Sequence, residues 1–224
     1  PTPSGLPRNI IQCLEDYQIP LYLSHTVTDI HGDSRLTGVT ISRVDEHLKP
    51  IPGTEKEYKC DTLILSAGLI PDNQLSTDAG VTLDPHTKGP YVDEHLQTNI
   101  PGVFAAGNVL HVHDLVDFVS LEAEALADGA ASYVSGQELA PCGLAIKAGN
   151  GVGHTVPQKI SGTADFKLSL RVRSQFMDCR IVLRQDGREV AAKKMKKAIP
   201  AEMIQFMVSG KNISGDGDLE VSVE

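Results

Sequence analysis

The sequence predicts an α/β portion followed by a small all-β, sandwich-like domain, and three observations carry that prediction. Two continuous apolar runs, Asp61 to Gly68 and Gly102 to Gly107, each end in a glycine-containing turn, the pattern of parallel strands buried on both faces. Val116 to Val134 has helical spacing and is rich in alanine (Ala123, Ala125, Ala127, Ala130, Ala131), which makes a slim helix suited to close packing on a sheet or a cofactor. Phe166 to Arg173 then alternates strictly, apolar on even and polar on odd positions, and further short strands follow with turn signals between them.

Charge divides the chain in the same way. Residues 1–137 hold 7 basic and 19 acidic residues, a net −12, and residues 138–224 hold 13 basic and 10 acidic, a net +3. The change falls in the Gly- and Pro-punctuated stretch Ser135 to Gly143. Domains are therefore expected at 1–137 and 144–224.

Taken in order, Arg8 to Tyr17 places Ile10, Ile11 and Leu14 on one side of a short helix, with Cys13 on its apolar side. Ile19 to Leu23 reads as a brief strand. Thr26 to Ile30 and Leu36 to Val44 alternate around the turn His31-Gly32-Asp33-Ser34 and form a hairpin, with a last strand partner near Tyr58. In the second domain, Arg180 to Arg184 and Glu189 to Lys194 flank Gln185-Asp186-Gly187-Arg188, whose Asp-Gly pair is a hairpin signal. Met203 to Val208 and Leu219 to Val223 supply two more strands.

Several function classes are excluded. A net charge of −9 argues against nucleic acid, because phosphate binding needs clustered basic residues. No apolar stretch approaches the roughly 20 residues that span a bilayer. The opening Pro1-Thr2-Pro3-Ser4-Gly5 carries no signal peptide and no initiator Met, which points to a fragment or a processed chain. The four cysteines are widely spaced, with neither a CxxC pair nor zinc spacing, so the expected setting is a reducing, cytoplasmic one without a structural zinc site.

Ligands of open α/β sheets bind at the carboxyl ends of the strands, beside helix N-termini that favour negative charge. Gly107, Asn108 and the backbone around Phe118 and Val119 hold that position after the second apolar run. Asn108 offers both a donor and an acceptor to a hydroxyl group.

These residues also resemble a family. Leu63-Ile64-Leu65-Ser66-Ala67-Gly68-Leu69-Ile70-Pro71-Asp72-Asn73 is similar to the strand and "ATG-x-x-PN" turn of FAD-dependent pyridine nucleotide-disulfide oxidoreductases. Thr98-Asn99-Ile100-Pro101-Gly102-Val103-Phe104-Ala105-Ala106-Gly107-Asn108 resembles that family's second flavin motif, "T-x-x-P-G-[VI]-[FY]-A-x-G-D", at the right distance. The thioredoxin-reductase-like branch is the nearest in pattern. The resemblance implies part of a flavoprotein fold with two dinucleotide-binding domains, residues 6–60 from the NAD(P)H domain and 61–137 from the FAD domain. It implies FAD and NAD(P)H as cofactors, with contacts from Ala67, Gly68, Gly107, Asn108, Phe118 and Val119. The Asn108 position is normally Asp, so the size is kept and the charge is lost.

The departures limit the reading. The G-x-G-x-x-G fingerprints for both dinucleotides are absent, as is the redox CxxC; Gly149-Asn150-Gly151-Val152-Gly153 leads into Pro157 and a β pattern and cannot replace them. The expected function is thus that of the C-terminal portion of an oxidoreductase that passes hydride between NAD(P)H and a small-molecule or protein acceptor, inactive as an isolated chain. The alternative is a non-enzymatic protein-binding module derived from a flavoprotein. A homo-oligomer or partner subunit fits either reading. His111 and His113 are candidate acid/base groups at the flavin edge, and no metal site is expected from them. Lys193-Lys194-Met195-Lys196-Lys197 is the one dense basic run, read as a solvated strand edge that blocks pairing, with docking of an acidic partner as the alternative.

Overall fold

A computed structural model describes residues 7–66 and 68–224. The chain forms two compact units, Pro1–Gly68 and Leu69–Glu224. In the first, helix α1 (Pro7–Ile10) runs into a π-helical turn at Ile11–Glu15. Cys13 is exposed rather than in a core. The expected strand Ile19 to Leu23 is absent, because left-handed backbone at Gln18 (φ 54) and Ser24 (φ 55) interrupts the extended chain on either side. The expected hairpin is present: β1 (His25–His31) pairs antiparallel with β2 (Gly38–Arg43), and β2 pairs with β3 (Lys56–Tyr58). Val39 and Val44 are its buried apolar residues, and cross-strand hydrogen bonds from Thr28 to Ser42 (2.9 Å) and His31 to Thr40 (2.7 Å) fix the register.

The run after β3 corrects the sequence reading. Asp61 to Ser66 forms no strand, and Ile64 is 86% exposed. A parallel strand draws its hydrogen bonds from neighbours on both sides, and no strand lies beside this segment among the described residues. Gly102 to Gly107 is likewise no parallel strand. It folds back on its own upstream residues through an antiparallel bridge between Gln97 and Phe104, with the Ala105 N–H donating to the Leu96 carbonyl at 3.0 Å.

In the second unit, the short helix α2 (Gln74–Asp78) precedes this bridged loop, and α3 (Val116–Val134) occupies the predicted span. Glu122 and Gly129 are the buried residues of α3. A Cβ at Gly129 would lie 2.7 Å from the His95 carbonyl oxygen, so close packing of the helix depends on glycine there.

Eight strands follow as two facing sheets. One has the order β10-β7-β5 and the other β6-β4-β11-β8-β9. They comprise β4 (Leu144–Ala148), β5 (Val152–Val156), β6 (Lys159–Ile160), β7 (Phe166–Val172), β8 (Phe176–Gln185), β9 (Arg188–Ala198), β10 (Ile204–Val208) and β11 (Leu219–Val223). The alternation in β7 buries Phe166, Leu168, Leu170 and Val172 in one core with Ile181, Leu183, Leu219 and Val221. The hairpin β8–β9 turns at Asp186 (φ 50) and Gly187 (φ 80), both left-handed as a type I′ turn requires. β4 to β6 were not anticipated, since the glycines at 149–153 obscure the alternation around them.

The composition boundary at 137–144 does not divide the compact units, because buried polar contacts cross it. The Val92 N–H donates to the Gln158 side chain (2.9 Å), the Gln158 N–H donates back to the Val92 carbonyl (3.0 Å), and the Ser161 hydroxyl donates to Glu94 (2.6 Å). Val156 joins Val92, Leu96, Ala105 and Leu110 in a second, smaller core.

Candidate functional site

The two motif turns converge through one side chain. Asn73, at the end of Leu69-Ile70-Pro71-Asp72-Asn73, is buried, and its amide donates to the Lys88 carbonyl (3.0 Å) and the Val109 carbonyl (2.9 Å). Val109 closes the single 3-10 turn Gly107–Val109, so the end of the first motif is fastened to the end of the second.

Gly107 enters that turn at φ 75, and its N–H donates to Glu122 Oε2 at 2.6 Å. Asn108 is exposed, and its side-chain oxygen accepts the His113 N–H at 3.0 Å. Leu110 is fully buried and anchors the loop in the smaller core. The next turn carries His111 and His113 inward, their rings edge-to-face with centroids 4.5 Å apart. His111 Nε2 lies 2.7 Å from Glu122 Oε1, and His113 Nε2 lies 3.4 Å from the same oxygen without hydrogen-bond alignment. Asp114 then pairs with Arg171 of β7 (2.5 Å) and accepts the Met203 N–H (2.6 Å), while Arg171 also donates to the Val112 carbonyl (2.9 Å). The loop 107–114 is thus held by α3 on one side and by the sandwich on the other.

The electrostatics follow from burial. Burial alone would raise the Glu122 pKa, but the histidine contacts from His111 and His113 and the Gly107 N–H outweigh it and hold the carboxyl at about 2. Glu122 is therefore a carboxylate inside the protein, matched by imidazole and amide donors. His154 of β5, whose ring centroid is 6.1 Å from that of His111, is pushed down to about 4, first by burial and then by its proximity to His111 and Arg171. It stays neutral at pH 7.

α3 begins after an extended Leu115 with no side-chain cap, so the first-turn amides of Val116 and Asp117 have no partner within the helix. Phe118 and Val119 are half-buried in that turn, and the Phe118 N–H turns back to the Leu115 carbonyl at 3.2 Å. Gly68 is exposed with left-handed backbone (φ 90), within the first unit. Ala67 lies outside the described residues. The structure therefore brings Gly107, Asn108, Phe118 and Val119 onto one loop–helix junction and places His111 and His113 inside it.

Sequence reasoning missed Asn73, Asp114, Glu122, His154 and Arg171 as site residues. Glu122 had a signal: with Leu126 and Gly129 it forms an i, i+4, i+7 stripe, so a charge sits on the helix face that packs inward. Arg171 had none, because its partner Asp114 is 57 residues away.

The chain matches the family model described as pyridine nucleotide-disulphide oxidoreductase over residues 4–130. It is 30% identical over 100 residues to the thioredoxin reductase of Listeria monocytogenes, a stretch covering 44% of this chain and 28% of that protein. To the NADH oxidase of Streptococcus pneumoniae it is 30% identical over 147 residues, covering 62% of this chain and 28% of the relative. To the ferredoxin–NADP reductase of Picrophilus torridus it is 27% identical over 95 residues, covering 42% and 27%. The chain thus spans little more than a quarter of the length of these relatives.

Proposed function

The chain belongs to the pyridine nucleotide-disulphide oxidoreductase family, whose members depend on FAD and NAD(P)H, and from that premise we propose that it forms the C-terminal portion of an enzyme passing hydride between NAD(P)H and an acceptor. The observation that carries this reading is the Asn73 amide, which binds the two flavin-motif turns into one piece beside an uncapped helix N-terminus.

The donor set at that junction fits the edge of a flavin. The first-turn amides of α3 are free of side-chain caps, and the positive end of the helix favours electron density on a ring carbonyl. Asn108 is exposed beside them with an amide able to bond a hydroxyl. When bound, FAD supplies the ring that takes up and gives out hydride. The chain's own residues hold that edge. Glu122 fixes the Gly107 N–H, and Asn73 fixes the turn. His111 and His113, buried against Glu122, are positioning groups for the turn and for α3 in this reading.

The sequence carries no G-x-G-x-x-G, so the adenosine and pyrophosphate parts of the cofactor rely on residues outside it, and the isolated chain is proposed to hold FAD only weakly. Titrating this chain with FAD, followed by gel filtration, tests that point: flavin is expected to separate from protein, and a stoichiometric yellow complex would overturn it. The enzyme reading itself is tested on the protein encoded by the full reading frame. Bound flavin reduced by NAD(P)H is expected, and a protein that purifies without flavin and ignores NAD(P)H defeats the proposal.

A second reading, a protein-contact module, is favoured by one observation. Ile70, in the first motif, is 81% exposed, and Leu75, just after it, is 86% exposed, both apolar side chains. A reading frame that lacks an upstream strand–G-x-G-x-x-G–helix would favour that alternative.

A further inference from the structure

The His111, His113 and Glu122 cluster is more than a positioning device. Each residue offers one ligand atom, and the three atoms lie within 4.8 Å of one another, all three side chains being buried or nearly so. A buried histidine that serves only packing ordinarily satisfies its ring nitrogens, because an orphaned polar atom forfeits the hydrogen bonds that water would give it. Here one proposed ligand atom is left over: among the described residues, His113 Nε2, on a side chain 1% exposed, has no hydrogen-bond partner. His113 Nε2 instead faces Glu122 Oε1 at 3.4 Å, and His111 Nε2 faces the same oxygen from 2.7 Å.

We infer that these three side chains form a binding site for a divalent first-row cation of the zinc class, with His111 Nε2, His113 Nε2 and Glu122 Oε1 as protein ligands. Two imidazoles and one carboxylate are the donor set such ions take, at about 2.0–2.2 Å from the metal, with a remaining position for water. Ligand atoms at those distances in a tetrahedral arrangement sit about 3.2–3.6 Å apart by simple geometry. The His113 contact already has that separation, and the His111 contact needs to open by roughly half an ångström, within the freedom of one carboxylate torsion. The orienting contact is in place too. Glu122 Oε2 is held by the Gly107 N–H at 2.6 Å, which leaves Oε1 directed at the two rings.

The surroundings suit a cation. Glu122 supplies a negative charge in the interior, and the nearby Arg171 is neutralised by Asp114 at 2.5 Å. Glu122 also lines a pocket of about 280 Å³ shared with Glu94, Lys167, Ser169 and Gln205. The sequence reading expected no metal here because H-x-H supplies two ligands only. The third comes from α3, 9 residues beyond His113, where the fold turns Glu122 inward.

The site joins the loop 107–113 to α3, so its ion would lock the junction on which the flavin reading depends. It does not rest on that reading, and metal binding is read out without flavin. The full chain is stripped with a chelator, exchanged into metal-free buffer and titrated with Co²⁺ alone. One equivalent is expected to give visible d–d absorption, which Zn²⁺ then abolishes, and Zn²⁺ is expected to raise the melting temperature. His113→Asn is expected to weaken Co²⁺ binding at least tenfold, whereas His86→Gln, an exposed histidine outside the cluster, leaves it unchanged. Failure of the folded, metal-free wild-type chain to bind a stoichiometric equivalent overturns the proposal whatever the variants do. So does binding that survives His113→Asn, or that is lost with His86→Gln. Flavin content of the full-frame protein is a separate measurement, so the two proposals fail separately.

Discussion

The sandwich and the motif-bearing stretch 73–134 belong to the same compact unit but are held by different forces. Inside the sandwich, Leu168, Leu170, Ile181, Leu183 and Leu219 are completely buried, and area removed from water dominates. In the motif stretch the buried residues are as much polar as apolar: Asn73, Asp84, Thr87, His111 and Glu122 are buried beside Val81 and a core of Val92, Leu96, Ala105 and Leu110. Asp84 accepts the His86 and Thr87 N–H groups, and Asp93 accepts those of His95 and Gln97. Apolar packing is non-directional and tolerates small shifts, whereas these bonds specify the path of each loop. Stability is concentrated where no chemistry is expected, and positional definition where the cofactor motifs lie.

The sharpest way to break that contrast is to remove packing from the sandwich. Leu168→Ala is expected to cost about 4 kcal/mol, within the range for a fully buried leucine whose neighbours cannot collapse into the gap. Urea unfolding of the two proteins checks it, and a loss below about 1 kcal/mol would mean that the sheets are not the mainstay of this unit.

Next in size is the seam at His154, on β5 but packed towards His111. Its pKa is lowered from 6.5 to about 4, mainly by burial, with His111, Arg171 and His86 disfavouring the charge and Asp84 opposing them. The unfolded chain therefore takes up a proton at higher pH than the folded one. No stability is lost above the unfolded pKa. The loss begins as pH falls through 6.5 and levels off below 4, at about 3 kcal/mol. Other carboxyls titrate in the same window, so the readout is a difference. His154→Asn should flatten the stability profile between those limits relative to wild type, and parallel profiles would refute the assignment.

A smaller effect is expected at Asn73. Asn73→Ala leaves the Lys88 and Val109 carbonyls without their donor, at a cost of about 2 kcal/mol. Asn73→Asp keeps the shape but offers an acceptor to two acceptors, so it should be at least as damaging. If both variants unfold like wild type, the two motif turns are held together by something other than this amide.

How much of this was legible in the sequence depended on whether a residue's partner was close along the chain. Helix α3 was read at its true ends, and the Asp186-Gly187 turn and the alternation of β7 were read directly, because local pattern determines them. The apolar runs at 61–68 and 102–107 misled, since periodicity reports that a segment is apolar and not whether strands lie beside it. Gly107 and Asn108 were singled out from the motif, but the groups that hold them were not. Glu122 reaches Gly107 across 15 residues, Asn73 reaches Val109 across 36, and Arg171 reaches Asp114 across 57. A single sequence records none of those pairings.

The smallest expected effect lies at the sandwich edge, where stability and solubility part company. β9 is the outer strand of its sheet and carries the basic run Lys193 to Lys197. Lys193 is used locally, its ammonium donating to the Gln205 carbonyl at 2.7 Å, whereas Lys194 and Lys196 are exposed. An uncovered strand edge presents unpaired N–H and carbonyl groups to any other strand, and lysines along it oppose that pairing by charge repulsion and the cost of desolvation. Replacing both exposed lysines in Lys194→Thr/Lys196→Thr should therefore change unfolding free energy by no more than about 0.5 kcal/mol, because threonine suits a strand and neither lysine is buried. The same variant should self-associate more strongly than wild type as concentration rises, with the difference largest at low salt, where the removed repulsion was least screened. Sedimentation velocity at several concentrations and two ionic strengths separates the possibilities. Unchanged association would mean that the twist of the edge or neighbouring structure protects β9, and that the lysines are a solvated face without a guarding role.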